Sequence, residues 1–272
     1  MLWWKLLLTP ILIAALTLIG RRWGPRAAGL IVGLPLTTGP VSVFLATEQG
    51  TDFAARAATG SILGLACACA SVAAFALTLR RKSLRLAITA GLAVAASLSL
   101  ALGAITLRPH VALGIAALVI LLLWSVVRRP LNDASDCVPA PDLTRTAAWD
   151  MVARVLIATT MVATVTAAAA SLGSRMSGVL SALPILGGLL AVFTYRREGR
   201  SASTRLVAAM IIGSMPGLLF FAIVAELLGR ASLPVTYGAA TAAAILAGSI
   251  VSSVTRTPPP EVEWAECLQE AA

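Results

Sequence analysis

Nine stretches of this chain are apolar for long enough to cross a bilayer, and that property leaves few folds open. They run over residues 2–19, 27–47, 57–79, 84–107, 111–127, 151–172, 176–195, 206–228 and 233–254. A hydrocarbon layer of ~30 Å needs about 20 residues of α-helix. In lipid every backbone amide must find its partner within the protein, which a helix does along its own length. An all-α polytopic membrane protein with nine transmembrane helices is therefore expected. Composition agrees: 12% of residues are charged, about half the ~25% of a soluble domain.

The first run has Lys5 before its apolar core and Arg21, Arg22 and Arg26 after it. A secretory signal has the reverse bias and a small-residue cleavage site, so this run reads as a retained helix. The net charge of +9 points to topology before it points to nucleic acid, because Lys and Arg accumulate in cytoplasmic loops. With nine helices alternating sides, five of the 21 basic residues fall on one side and sixteen on the other. That split puts the N-terminus outside and the C-terminus in the cytoplasm of a bacterial-type inner membrane.

The breaks in two of the runs define the internal organisation. Residues 29–44 read GLIVGLPLTTGPVSVF and residues 178–193 read GVLSALPILGGLLAVF. At an offset of 149, eleven of the 39 positions from Arg26 to Gly64 are identical to their mates, among them Pro35/Pro184, Gly39/Gly188, Phe44/Phe193, Gly50/Gly199 and Arg56/Arg205. Composition supplies Leu and Ala matches freely, but not Pro, Phe, Arg and several Gly at constant spacing. Duplication is the expectation. The offset leaves the fifth helix unpaired, and one unpaired helix between two four-helix halves turns the second upside down in the membrane. The expected plan is a first four-helix repeat (1–110), a linking helix (111–127), a cytoplasmic loop (128–150), a second, inverted repeat (151–257) and a cytoplasmic tail (258–272).

Proline inside a helix removes a hydrogen bond and frees a carbonyl, which lipid tolerates only where the group faces protein or water. Gly33, Pro35, Gly39 and Pro40 interrupt the first copy beside the hydroxyls of Thr37, Thr38 and Ser42; the second has Pro184, Gly187 and Gly188. Two readings stand. In one, helices two and seven unwind near the midplane and form a polar substrate site from Pro35, Thr37, Thr38, Gly39, Ser42, Pro184, Gly187 and Gly188, with Arg56 and Arg205 attracting an anion from either side. In the other, the prolines only kink the helices and the arginines snorkel to headgroups.

Gly60-xxx-Gly64, Ala209-xxx-Gly213 and their neighbours at 29–33 and 178–182 are read as packing surfaces. Glu226 is the one carboxylate within an expected span and lies one turn from Arg230; an interfacial ion pair is expected. His110 reads as plain external loop. Cys67 and Cys69 are two apart on one helix and point to different faces, while Cys137 and Cys267 fall in cytoplasmic segments. No metal, cofactor or enzymatic activity is expected, since catalytic triads, paired carboxylates and phosphate loops are missing from the sequence.

The pattern AGLIVGLPLTTGPVSVFLATEQG…AARAATGSILG, over residues 26–64 and again over 175–213, resembles the GlpM family of small four-helix inner-membrane proteins and related four-helix families. The resemblance implies a fused pair of four-helix subunits and carries over no functional residue. The expected function is transport, secondary or channel-like, of a small polar or anionic solute. The alternative is a non-transporting accessory protein whose breaks dock a partner or lipid. Expected partners are the bilayer and a small-molecule or ion substrate, with a homodimer compatible and nucleic acid not expected. Compartment-specific tags inserted at Gly50 and at Gly199 should report opposite faces of the membrane; a common face would remove the inversion.

Overall fold

The computed structural model describes residues 38–104, 107–128 and 185–254. Within them the chain forms α1 (Thr38–Gln49), α2 (Thr51–Leu79), α3 (Leu84–Ala104), α4 (Pro109–Val127), α5 (Ile185–Gly213), α6 (Met215–Leu227) and α7 (Leu233–Val254). Five stretches of the described residues are long and apolar enough to cross a membrane. The protein is an α-helical, membrane-spanning chain. The runs at 2–19 and 151–172, and most of the Leu-Pro breaks, lie outside the described residues.

Two glycines set the turns between successive helices. Gly50, between α1 and α2, has φ 89° and ψ 162°, and Gly199, inside α5, has φ 84° and ψ −172°. This corner of backbone space is nearly closed to any residue with a Cβ. The two glycines are 149 positions apart in sequence, and so are the starts of α3 at Leu84 and α7 at Leu233. Helix resumes at once after each glycine, which the apolar pattern alone does not foretell. The hydropathy runs begin at 57 and 206, whereas helical structure begins at Thr51 in α2 and continues directly past Gly199 in α5. The extra turns carry Asp52, Arg56, Arg200 and Arg205, residues that water or headgroups solvate.

The segment 200–227 is broken once more, at Ser214. Pro216 has no N–H to give, so the Ser214 amide bonds back to Ile211 O at 3.2 Å and Leu218 N takes up Ser214 O at 3.1 Å. The chain bends and runs on as α6. A matching bend is missing from α2, where Cys67 stands at the position of Pro216.

The core lies between α2 and 200–227, which run antiparallel. At one end Arg200 Nη1 donates to the Arg80 carbonyl over 3.1 Å, and the Arg80 guanidinium donates to the carbonyl of Val127 at the end of α4. At the other end His110, in the first turn of α4, lies 3.8 Å from Glu226 near the end of α6. Both members of the central pair bury small residues: Ala54, Ala57, Ala58, Gly60 and Gly64 on α2, and Ala202, Ala209, Gly213 and Gly217 on the other segment. Small residues let helices approach until dispersion contacts hold them. α3 packs on α2, α7 packs on α6, and α4 crosses the seam, touching α2, α5 and α6. At the α2–α3 contact, a Cβ on Gly91 would come within 3.1 Å of Ser71 O, so the close approach requires glycine there.

The outer helices turn apolar side chains outward. Leu100 is 74% exposed, Leu246 66% and Ile250 64%. Water-soluble monomers rarely expose contiguous apolar surface of this extent; in hydrocarbon it is matched.

Replacing Gly50 or Gly199 by Ala should each destabilise the protein by about 1–3 kcal/mol through strain, read as a lower thermal midpoint in detergent. Gly114→Ala, exposed on α4 with open space around it, should leave the midpoint unchanged or raise it.

Candidate functional site

Most hydroxyls in the described helices are consumed locally. Thr59 donates to Ala55 O at 3.1 Å, Ser71 to Ala68 O at 2.8 Å, Thr204 to Arg200 O at 2.9 Å and Ser214 to Met210 O at 2.9 Å. A hydroxyl bonded back one turn carries no spare proton to offer a ligand or another helix.

Ser42, Thr236 and Tyr237 depart from this pattern, and Ser42 and Tyr237 meet where α1 reaches α7. The Tyr237 hydroxyl donates to the Ser42 carbonyl at 2.8 Å. That uses its one proton, so the 3.0 Å contact between Ser42 Oγ and Tyr237 Oη has Ser42 donating. The result is a two-bond latch between the first broken segment and the last helix. Phe220 of α6 closes one side: its ring lies 6.2 Å from the Tyr237 ring and 5.2 Å, edge-on, from Phe221. The ring lies against α1 at Gly39, where a Cβ would make ordinary contact at 3.6 Å from Phe220 Cζ. Beside Tyr237, Thr236 is fully buried, and its Oγ1 has no hydrogen-bond partner among the described residues. An unmade bond of that kind costs about 1–3 kcal/mol. The junction thus combines two aromatic rings and a hydroxyl latch, and next to it in sequence stands a buried hydroxyl without a partner among the described residues.

Three of the four positions 149 residues away are apolar and the fourth is a serine. Ser42, Thr236 and Tyr237 correspond to Ala191, Ala87 and Ile88, and Phe220 corresponds to Ser71. Ala87 and Thr236 are both fully buried, so the packing environment is shared while the chemistry is not. The backbone carbonyl in question is held in both places, by different donors. Ser42 O takes its extra hydrogen bond from Tyr237, on a distant helix, whereas Ala191 O takes it from Ser203, twelve residues on, at 2.8 Å. One segment is tied across the molecule; the other is tied to its own return helix.

The residues expected to form a substrate site are only partly gathered here. Gly39 and Ser42 are in the junction. Thr38 starts α1, while Pro35, Thr37 and Pro184 lie outside the described residues. Gly187 is buried and Gly188 half-buried in the first turns of α5, but α1 packs mainly on α2 and has no comparable packing against α5. Arg56 and Arg205 are exposed, one to two turns past Gly50 and Gly199, and neither enters the junction. Glu226 pairs with Arg230 at 3.9 Å, as its spacing suggests, and also with His110, which stands in helix and not in loop. Exposed pairs of this kind contribute little to stability. Cys67 faces α3, 3.6 Å from Ala95 O and Ser99 Oγ, whereas the Cys69 thiol lies against the Ser214 hydroxyl; the two thiols do look to different sides.

Phe220, Thr236 and Tyr237 were not legible as site residues. The available signal was that Tyr237 is one of only two tyrosines in the chain and sits inside an apolar run, where a buried phenol has to find a partner.

Comparison of the chain with protein-family models, with curated proteins and with solved structures finds no match.

Tyr237→Phe should cost about 1 kcal/mol by removing the latch and lower the thermal midpoint by a few degrees. Thr236→Val deletes the unused hydroxyl at nearly constant volume and should leave the midpoint level or higher. A silent Tyr237→Phe would mean that the latch does not hold α1 to α7.

Proposed function

We propose that the chain is a transporter, secondary or channel-like, for a small polar or anionic solute, with its site between the broken helices 27–47 and 176–195. The architecture that goes with this reading has nine spans, arranged as two inverted four-helix repeats joined by the linking helix. It sits in a bacterial-type inner membrane with the N-terminus outside. The kinship with four-helix GlpM-like proteins belongs to the same reading.

Several observations support it. The Gly-only turns and the helix starts recur at the offset of the sequence repeat. The segments Thr51–Leu79 and 200–227 are equivalent under that offset yet run antiparallel, as mates in inverted repeats do. The basic residues crowd the end where Arg80, Val127 and Arg200 meet, the distribution expected of a cytoplasmic face.

The observation that carries the proposal is the one-sided polar junction. A hydroxyl latch between Ser42 and Tyr237 stands beside the Phe220 ring, and the neighbouring buried Thr236 hydroxyl has no partner among the described residues, while the positions 149 residues away hold Ala191, Ile88, Ser71 and Ala87. Packing alone gives no reason for Thr236 in a span where its mate is Ala87. A solute that bonds Thr236 and parts Ser42 from Tyr237 gives one. The absence of any carboxylate or lysine at mid-depth in the runs suits a solute held by hydroxyls and backbone groups.

Solvent access tests this. Single cysteines at Thr37, Thr38, Ser42 and Leu186, in a background lacking Cys67, Cys69, Cys137 and Cys267, should react with a small charged thiol reagent. Ser42→Cys should react faster than Ala191→Cys. Uniform inertness would sink the transport reading and favour an accessory protein whose breaks dock a partner or lipid.

A further inference from the structure

α2 and the segment 200–227 correspond at the offset of 149, yet they differ at mid-length. α2 runs unbroken from Thr51 to Leu79. Its counterpart is interrupted at Ser214, within the sequence Gly213-Ser-Met-Pro-Gly217. The matching residues of α2 are Gly64-Leu-Ala-Cys-Ala68, so Pro216 and Gly217 stand where α2 has Cys67 and Ala68. Proline takes one rung from the helical ladder, and glycine is a weak helix former beside it.

Side-chain bonds hold this break together. The Ser214 N–H bonds to Ile211 O, three residues back, at 3.2 Å, and the Ser214 hydroxyl donates to Met210 O, four residues back, at 2.9 Å. The Cys69 thiol of α2 lies against that hydroxyl. An unpaired backbone group is expensive in lipid, so a spanning helix flexes cheaply only where a side chain can stand in for an amide. Ser214 provides that substitute. Leu65, at the matching position of α2, has no hydroxyl.

Beyond the break, α6 and α7 form one hairpin. Its turn is drawn tight by the amides of Arg230 and Ala231, which both bond to Leu227 O, at 2.9 Å and 3.0 Å. The two helices pack along each other, and the Phe220 and Tyr237 rings lie 6.2 Å apart between them. Polar contacts fasten the hairpin to its surroundings near this turn: Tyr237 with Ser42 of α1, and Glu226 with His110 of α4. α6 also packs on α2 and α4, but Glu226 is its one polar side chain. Lipid tails replace apolar helix contacts at little cost, so the polar ties are what a movement of the hairpin has to break.

We propose that the α6–α7 hairpin is the moving element of this protein and that it swings as one body about Ser214. The swing parts Tyr237 from Ser42 and opens the junction of α1 with α7. α2, α4 and the 200–213 part of α5 stay behind as the frame, tied to one another at the far end by Arg80 and Arg200. The purpose of the movement, though not its geometry, rests on the transport reading. The device is one-sided. The counterpart of the hairpin, the second half of α2 with α3, has no break to turn on, and Ala191, the counterpart of Ser42, is held by Ser203 of its own helical segment.

The test is distance measurement between spin labels on the full chain in detergent, in a background lacking Cys67, Cys69, Cys137 and Cys267. The exposed pair Asp52→Cys/Ser232→Cys runs from α2 to the hairpin turn, and the exposed pair Asp52→Cys/Arg108→Cys stays within the frame. Tyr237→Phe removes both bonds to Ser42. It should enlarge a longer-distance population of the first pair about five- to tenfold and leave the second pair unchanged. Adding Pro216→Ala/Gly217→Ala, which restores the ladder, should abolish that population. A first pair unaffected by Tyr237→Phe, a longer population that survives the restored ladder, or an equal change in the second pair overturns the proposal. Should the restored helix not fold, hydrogen exchange of the unaltered protein decides: the amides of 211–217 should exchange faster than those of 62–68, and equal or greater protection overturns the hinge. No solute enters these measurements. Inert cysteines at Thr37, Thr38 and Leu186 beside a mobile hairpin would remove the transport reading alone, and reactive ones beside a rigid hairpin would remove the hinge alone.

Discussion

Everything described here depends on two long helical segments approaching each other closely in a solvent that gives them no hydrophobic reason to do so. Lipid tails are as apolar as leucine, so association inside a bilayer rests on close contact and satisfied polar groups. α2 meets that condition with Ala54, Ala58, Gly60 and Gly64, and the antiparallel segment 200–227 answers with Ala202, Ala209, Gly213 and Gly217. At 29 residues, α2 is about 43 Å long, more than the hydrocarbon requires. Its ends therefore reach the wet layers where the arginine contacts and the His110–Glu226 pair are made. α3, α4 and α7 are then arranged around this pair, and their outer faces are left to the lipid.

Against that tightly packed centre, the polar junction of α1 with α7 stands out by its chemistry. Most hydroxyls elsewhere are turned back on their own helices. Ser42 and Tyr237 spend theirs across the molecule, and the Thr236 hydroxyl has no partner among the described residues. The equivalent carbonyl at Ala191 is secured from within its own hairpin by Ser203. A bond to a neighbouring turn survives relative movement of the halves, whereas a bond between distant helices has to break.

Sequence legibility followed the range of the interaction. The transmembrane class and the ninth run were readable, because hydropathy and composition act within a few residues. α7 begins and ends where the apolar run 233–254 does. The starts of α2 and of the helix after Gly199 were placed too late, because polar residues end an apolar run without ending a helix. His110 was read as loop for a related reason: Pro109 opens a helix as readily as it breaks one. The junction residues were misjudged more deeply. Nothing near Tyr237 in the sequence says that Ser42, 195 positions earlier, is its partner.

By itself, then, the order of amino acids determined that this chain enters a membrane and that it is helical there. These outcomes are set by transfer free energies and steric limits that each short segment carries with it. Only the tertiary structure decided which hydroxyls are used up, which carbonyls the arginines hold, and which of two equivalent places became polar. Those depend on side chains far apart in the chain arriving within 3 Å of one another, and no local property encodes that arrival.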